Sequence, residues 1–148
     1  MVSLLDVNVL VALAWPVHEH HERATQWFRR NQRAGWATCP LTQSGFVRVS
    51  SNLKVTLDAK SPREAIVALR RILALPHHVF FSDDISLVRS QFVDPEKLSG
   101  HRQVTDAHLL GIALRHDGRL ATLDRGVFDL VPSAFPASEA VCWLGAGP

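Results

Sequence analysis

Five short, mostly apolar runs are separated by stretches whose apolar positions recur every three or four residues, and this alternation predicts strands followed by helices. Val2 to Leu5 reads as a buried strand. Asp6 then opens a short apolar helix that ends before Pro16, because proline disfavours the helical conformation at the residue preceding it. The stripe His20, Ala24, Trp27, Phe28 predicts a helix from His18 to about Asn31, stopped by Gly35. Trp36 to Cys39 is a second strand. Pro40 and Thr42 start a third helix with Thr42, Gly45, Phe46 and Val49 on its inner face. After a loop over residues 52–60, Ser61-Pro62-Arg63-Glu64 supplies a capping box with proline at the first helical position, backed by Ala65, Ile66, Leu69, Ile72 and Leu73.

His78 to Phe81 is the third strand, and Asp84 is placed to cap a helix reaching about Phe92. A polar loop, Val93 to Val104, leads to a helix beginning at Thr105. Its stripe of Ala107, Leu110, Gly111 and Leu114 suits close packing on a sheet, and Asp117-Gly118 ends it in a turn. Arg119 to Thr122 is a fourth strand, Asp124 to Phe135 a loop with one short helix, and Ala140 to Leu144 a last strand. Strands alternating with helices predict an α/β fold with a mostly parallel sheet and right-handed crossovers. Residues 1–144 read as one domain and residues 145–148 as a tail.

Composition narrows this frame only slightly. A chain of 148 residues, 47% hydrophobic and 20% charged, is long enough to bury a core and lies far from the disordered regime. Sixteen basic against fourteen acidic residues give a formal +2, which permits a polyanionic partner without requiring one. Cys39 and Cys142 lack metal or redox spacing and read as buried thiols of a reducing cytoplasm. Asp6 and Asn8 interrupt the first apolar run and no basic segment precedes it, so a signal peptide is not expected and the mature chain is expected to begin at Met1. No stretch approaches the roughly 20 apolar residues of a membrane span.

The candidate chemistry lies just past the strands. Asp6, Asp106 and Asp124 each follow a strand-like run or open a helix-like one, the edge of an open α/β sheet where ligands bind. Individually each is explained by a cap, a first-turn charge or a turn. A shared edge is not explained in that way. Carboxylates meeting there would repel by about 4 kcal/mol per pair at 4 Å and an effective dielectric near 20, so a persistent cluster calls for a divalent cation or a shared proton.

Other polar residues have plainer readings. His18, His20 and His21 are spaced for a solvated helix start rather than one face, His77 and His78 flank a strand, and His116 suits a helix C-terminus. His101 sits in a loop leading to Asp106, where a surface position is the safer reading. Trp15, Trp27, Trp36 and Trp143 are assigned to the core, and Arg29, Arg30, Arg33, Arg70 and Arg71 to solvated helix faces. There is no P-loop, G-x-G-x-x-G or G-x-S-x-G.

Leu4-Leu5-Asp6-Val7-Asn8-Val9-Leu10, Thr105-Asp106-Ala107-His108-Leu109-Leu110-Gly111-Ile112-Ala113 and Leu120-Ala121-Thr122-Leu123-Asp124, in this order and at these separations, resemble the PIN domain. More narrowly, the chain is similar to the VapC toxins of bacterial toxin–antitoxin pairs. Trp36-Ala37-Thr38-Cys39-Pro40-Leu41-Thr42 with Gly45-Phe46-Val47-Arg48 strengthens that likeness, which covers about Leu4 to Trp143. The resemblance implies a three-layer α/β/α fold around a small twisted parallel sheet, and a magnesium- or manganese-dependent endoribonuclease. It further implies a homodimer, with a cognate antitoxin whose tail enters the active site. By position Asp6, Asp106 and Asp124 would be the metal-binding acids, with Asn8 and Thr122 as nearby supports. The family's second acid usually lies in the third helix, where this chain has Gln43.

Gln43 keeps a carbonyl acceptor but removes one negative charge, and magnesium binds through one or two carboxylates plus waters and substrate phosphates, so three aspartates suffice. The expected chemistry is attack of a metal-activated water on an RNA phosphodiester, reduced or manganese-favouring in rate. Two other readings compete. Gln43 motivates a catalytically weakened fold that binds RNA or protein. A phosphotransfer domain with Asp6 as nucleophile is disfavoured, because Asp6-Val7-Asn8 lacks a second acid two residues on.

Overall fold

The computed structural model describes residues 1–55 and 58–145. The expected tail beyond Gly145, and part of the loop expected over 52–60, lie outside the described residues. Strands β1 (Ser3–Leu5), β2 (Trp36–Thr38), β3 (His78–Phe80), β4 (Arg119–Thr122) and β5 (Val141–Trp143) form one sheet in the order β3-β2-β1-β4-β5. All four pairings are parallel. The chain starts at the central strand, builds outward to β3, then returns to the other side of β1 through β4. This order makes the boundary between β1 and β4 a topological switch point, where the connections leaving the two strands diverge and open a crevice.

Among the described residues six helices accompany the strands: α1 (Val7–Ala14), α2 (His21–Asn31), α3 (Pro40–Ser50), α4 (Pro62–Leu73), α5 (Gln103–Arg115) and the single turn α6 (Ala137–Ala140). The period of two along the strands divides their side chains between two cores. Leu4, Ala37 and Leu120 face a layer containing Leu109, Leu110, Ile112 and Ala113 of α5. Leu5, Trp36 and Ala121 face the opposite layer, with Val9 and Leu10 of α1, Phe28 of α2, Phe46 of α3 and Leu69 of α4. The result is the expected three-layer α/β/α arrangement, with a wholly parallel sheet. Among the described residues no helix is long and apolar enough to cross a membrane.

Local chemistry explains where most elements start. At α4 both halves of the capping box are made: Ser61 Oγ accepts from the Glu64 amide at 3.1 Å and the Glu64 carboxylate accepts from the Ser61 amide at 2.7 Å. Ser61→Ala is expected to cost about 1 kcal/mol of stability, read as a lower denaturant midpoint with an unchanged slope. Between α1 and α3 a close approach is permitted by Gly45, where a Cβ would lie 2.6 Å from Val7 Cγ2.

Several expectations change. No helix forms from Asp84 to Phe92. The Asp84 carboxylate instead reaches α5, 3.2 Å from His116 Nε2 and 3.6 Å from the Arg115 guanidinium, so it is not available to cap a backbone amide. Ile85 and Val93 of this segment lie over Gly111, where a Cβ would stand 2.5 Å from Ile85 Cδ1, so packing on α5 sets its path. The second helix begins at His21 rather than His18, because His18 to His20 form turns. The helix expected from Thr105 begins two residues earlier, with the Gln103 side chain accepting from the Ser99 and Gly100 amides. Trp36 is core, only 1% exposed, but Trp143 lies on the edge strand β5 and is 39% exposed. Cys39 is buried, Cys142 is half-buried beneath the Trp27 indole, and both are free thiols.

Candidate active site

Asp6 sits at the end of β1, where it is both the last residue before α1 and the cap of that helix. It is 5% exposed. One carboxylate oxygen accepts from the Val7 amide at 2.7 Å and the other from the Thr122 hydroxyl at 2.6 Å. Thr122 ends β4, the neighbouring strand, so the parallel register that sets Leu5 beside Ala121 also sets these two side chains together.

Thr122 is the hub of this crevice. Its hydroxyl donates to Asp6 and accepts from the Asn8 side-chain amide at 3.3 Å and the Asp124 backbone amide at 3.0 Å. Asn8 in turn accepts from the Leu123 amide at 3.2 Å. A hydroxyl has one proton to give and two lone pairs to accept with, and all three capacities are used. The network therefore fixes the rotamer of Asp6 and the turn that carries Asp124. Asp124 Oδ1 accepts from the Gly126 amide at 2.7 Å, capping the 3-10 turn Arg125–Leu130.

Asp106 arrives from the opposite layer, in the first turn of α5. Asp6, Asn8, Asp106 and Asp124 line one cavity of about 550 Å³. Burial pushes the Asp106 carboxyl up to about 6, with the Asp6 and Asp124 charges adding to the effect. Burial likewise raises Asp6 above the ordinary carboxylate value. The Thr122 hydroxyl and Val7 amide oppose that rise, and the Asp124 charge reinforces it. Asp106 thus feels the charges of both other carboxylates and Asp6 feels that of Asp124, as expected where negative charge is concentrated.

Gln43 is placed differently. Its side-chain amide donates to Thr38 Oγ1 at 3.0 Å, and that oxygen lies 2.8 Å from His78 Nε2. It is not among the residues lining the cavity. Most of the other cavity-lining residues carried no site reading from sequence. His18, Glu19 and Asp58 bring polar groups, while Trp15 and Val17 form part of an apolar wall. Trp15 stacks on Phe46 with centroids 5.9 Å apart, and its indole donates to Ser50 at 2.8 Å. No local pattern marks these residues, because the turn after α1 and the loop before α4 meet only in three dimensions.

The donor set suits a hard divalent cation, since among the described residues the acidic groups lining the crevice offer carboxylate oxygen and no thiolate lines it. Among the described residues no three His, Cys, Asp or Glu side chains are arranged to hold one ion between them. Magnesium does not demand such a cage, because it keeps several waters and takes one or two carboxylates.

Comparison with known proteins agrees with this architecture. The PIN domain family matches residues 3–133. Ribonuclease VapC38 of Mycobacterium tuberculosis (strain ATCC 25618 / H37Rv) is 53% identical over 131 residues, covering 86% of this chain and 89% of the relative. Ribonuclease VapC39 of the same strain is 45% identical over 129 residues, covering 87% and 93%. The structure of FitAB bound to an IR36 DNA fragment aligns with a TM-score of 0.54 and 19% identity, covering 97% of this chain and 95% of that one, a likeness of fold. Matched by the family over most of its length and by relatives at such identity, the chain belongs to the PIN-domain family, on its VapC ribonuclease branch.

Proposed function

We propose that this protein is a divalent-cation-dependent endoribonuclease, the toxin of a toxin–antitoxin pair, with Asp6, Asp106 and Asp124 as its metal-binding acids. The observation that carries the reading is the convergence of these three carboxylates on one crevice at the switch point of the sheet, each delivered by a different element. The similarity to ribonucleases supports RNA as the substrate. A cognate antitoxin and a homodimer follow from the family resemblance, and a cytoplasmic location from the free thiols Cys39 and Cys142, as parts of the same proposal.

Asp6 and Asp106 would hold magnesium or manganese, with Asp124 bearing on the same space. When bound there, such a cation polarises a phosphodiester and makes an attacking water more acidic. The chain's own contribution is preorganisation. Thr122 holds Asp6 in one rotamer, and its hydrogen bond, with that of the Val7 amide, favours the ionised carboxylate despite burial. Asn8 ties the start of α1 to the turn that carries Asp124, so the two sides of the crevice keep their spacing. The apolar wall of Trp15 and Val17 lowers the local polarity beside these charges and strengthens their pull on a cation.

The reading is tested by incubating the purified chain with a pool of structured RNAs under magnesium, manganese or a chelator, beside an Asp6→Asn control. Cutting that needs the cation and disappears in the control is the expected result. Cutting that persists in the chelator and in Asp6→Asn would refute it. Gln43→Glu supplies the acid found elsewhere in the family. A glutamate cannot donate to Thr38 as the Gln43 amide does; it can only accept from that hydroxyl, and the side chain gains a charge. An increase of roughly tenfold in magnesium-supported cutting is expected, of the size that groups flanking metal ligands contribute. The competing view of a weakened fold that only binds RNA predicts silence in both forms.

A further inference from the structure

His18 lies in the turn between α1 and α2 and lines the same cavity as the three aspartates. Its Nδ1 is 3.0 Å from the His20 backbone nitrogen. A backbone N–H only donates, so Nδ1 must be the acceptor, and the neutral ring carries its proton on Nε2. Burial lowers the affinity of His18 for a second proton, with the neighbouring His20 adding, so the neutral form prevails at pH 7. The turn itself is pinned. The His18 amide donates to Trp15 O, the His21 amide to His18 O, and the His21 ring meets Ala12 O at 2.8 Å.

The rest of the cavity is short of donors. Asp6, Glu19, Asp58, Asp106 and Asp124 present carboxylates, no lysine or arginine lines it among the described residues, and the nearby Lys60 ammonium, 5.7 Å from the Trp15 ring centroid, is engaged with Asp58 at 3.3 Å. The Asn8 side chain donates one amide hydrogen to Thr122 and accepts from Leu123, and the Trp15 indole donates to Ser50, so among the described residues only the second Asn8 N–H and the Ser50 hydroxyl remain beside His18 as neutral side-chain donors. Nε2 of His18 has no protein partner among the described residues. A phosphate entering a crevice so rich in carboxylates needs a hydrogen-bond donor at the rim. A neutral donor serves without competing with a cation for the acids.

We propose that His18 is a substrate-contacting residue, donating from Nε2 to a phosphate oxygen of the RNA strand that enters the cavity. This rests on the ribonuclease reading above. The contact holds the strand in register and belongs to binding rather than to the chemical step.

The test is RNA affinity in excess chelator, where nothing is cut, so its outcome is independent of whether the cation-dependent reaction is correctly assigned. A fluorescently labelled pool of structured RNAs is titrated with wild type, His18→Leu and His18→Gln, the amide of glutamine standing near the position of Nε2. His18→Leu is expected to bind about 5- to 10-fold more weakly, the worth of one hydrogen bond to a charged acceptor, and His18→Gln to recover most of that loss. Because the lost donor is uncharged, the slope of log affinity against log salt should stay at the wild-type value. Equal binding by wild type and His18→Leu overturns the proposal. So does equal weakening in both variants when thermal unfolding shows both folded as wild type, and so does an absence of RNA binding by the wild-type protein. A His18→Leu effect confined to binding of a partner protein would assign the residue to an interface instead, and overturn the RNA contact.

Discussion

Asp106→Asn is expected to make the cation-free protein more stable and, at the same time, unable to cut RNA. The first half follows from linkage. The folded state raises the Asp106 carboxyl from 3.8 to about 6, so the folded protein binds this proton more tightly than the unfolded chain does. The stability this group contributes is therefore present in full below about pH 3.8 and lost as pH rises through about 6. Above that pH the charge is held against burial and against Asp6 and Asp124. Asparagine removes the charge and leaves a side chain of the same shape. After allowance for solvent screening, the variant should gain about 1–2 kcal/mol at pH 7.5, and the gain should vanish near pH 4. The second half follows from the proposed role. Loss of a ligand carboxylate should lower cation-dependent cutting by roughly 100-fold or more, since even groups behind metal ligands are worth 10- to 100-fold. Denaturant curves at the two pH values, set beside cleavage rates, check both halves. A variant that is less stable at pH 7.5 would contradict the electrostatic account.

The largest loss of stability is expected at Trp36. Its ring is buried in the core layer that holds residues of α2 and α4, meets Phe28 edge to face at 5.2 Å and the His78 ring at 4.6 Å, and sends its indole N–H to Pro76 O at 2.9 Å. Trp36→Ala removes the buried surface, leaves a cavity and strips the Pro76 carbonyl of its donor. A cost of about 3–5 kcal/mol is expected, enough to unfold a domain of ordinary stability. Trp143→Ala is the contrasting case. That ring stands on an edge strand, its N–H reaches Leu123 O at 3.2 Å, and its loss should cost about 1 kcal/mol. Urea unfolding of the two variants separates these effects by several kcal/mol. Equal losses would mean that the edge strand is covered by something other than solvent.

That contrast shows what the sequence made legible. Both tryptophans sit in apolar strand-like runs, and nothing local distinguishes a central strand from an edge strand. The distinction is made by strand order, which places β5 at the rim. The same holds for Val79 and Phe80 of β3, apolar yet exposed at the opposite edge. By contrast the capping box at Ser61, the stop before Pro16 and the small-residue face of α5 are short-range effects, and the structure shows each of them. The helix expected after Asp84 failed for a tertiary reason. A side chain with the right chemistry for a cap found Arg115 and His116, distant in sequence, before it found a backbone amide.

The site follows the same division. The positions of Asp6, Asp106 and Asp124 after strands or at a helix start are local facts, and the parallel sheet converts them into neighbours on one crevice. Thr122 was legible as a residue near Asp124, but its threefold hydrogen bonding depends on the β1–β4 register. His18 could not be read at all, because a cluster of histidines before a helix is most simply a solvated turn, and only the folded chain sets one ring against the cavity with its tautomer fixed. Gln43 marks the reverse case. A motif assigns it to the site, whereas its hydrogen bond turns it toward Thr38.

The claim on which all of this depends is that the crevice lined by Asp6, Asp106 and Asp124 binds a divalent cation, and binding can be measured without knowing the RNA target. Manganese titrated into the purified protein at pH 7.5, with free ion followed by electron paramagnetic resonance, measures it directly. The account predicts saturable binding to the wild-type chain and its loss in the doubly substituted Asp6→Asn, Asp106→Asn protein, with both proteins folded. Manganese left free by the wild type, or bound equally well by the double variant, would contradict it.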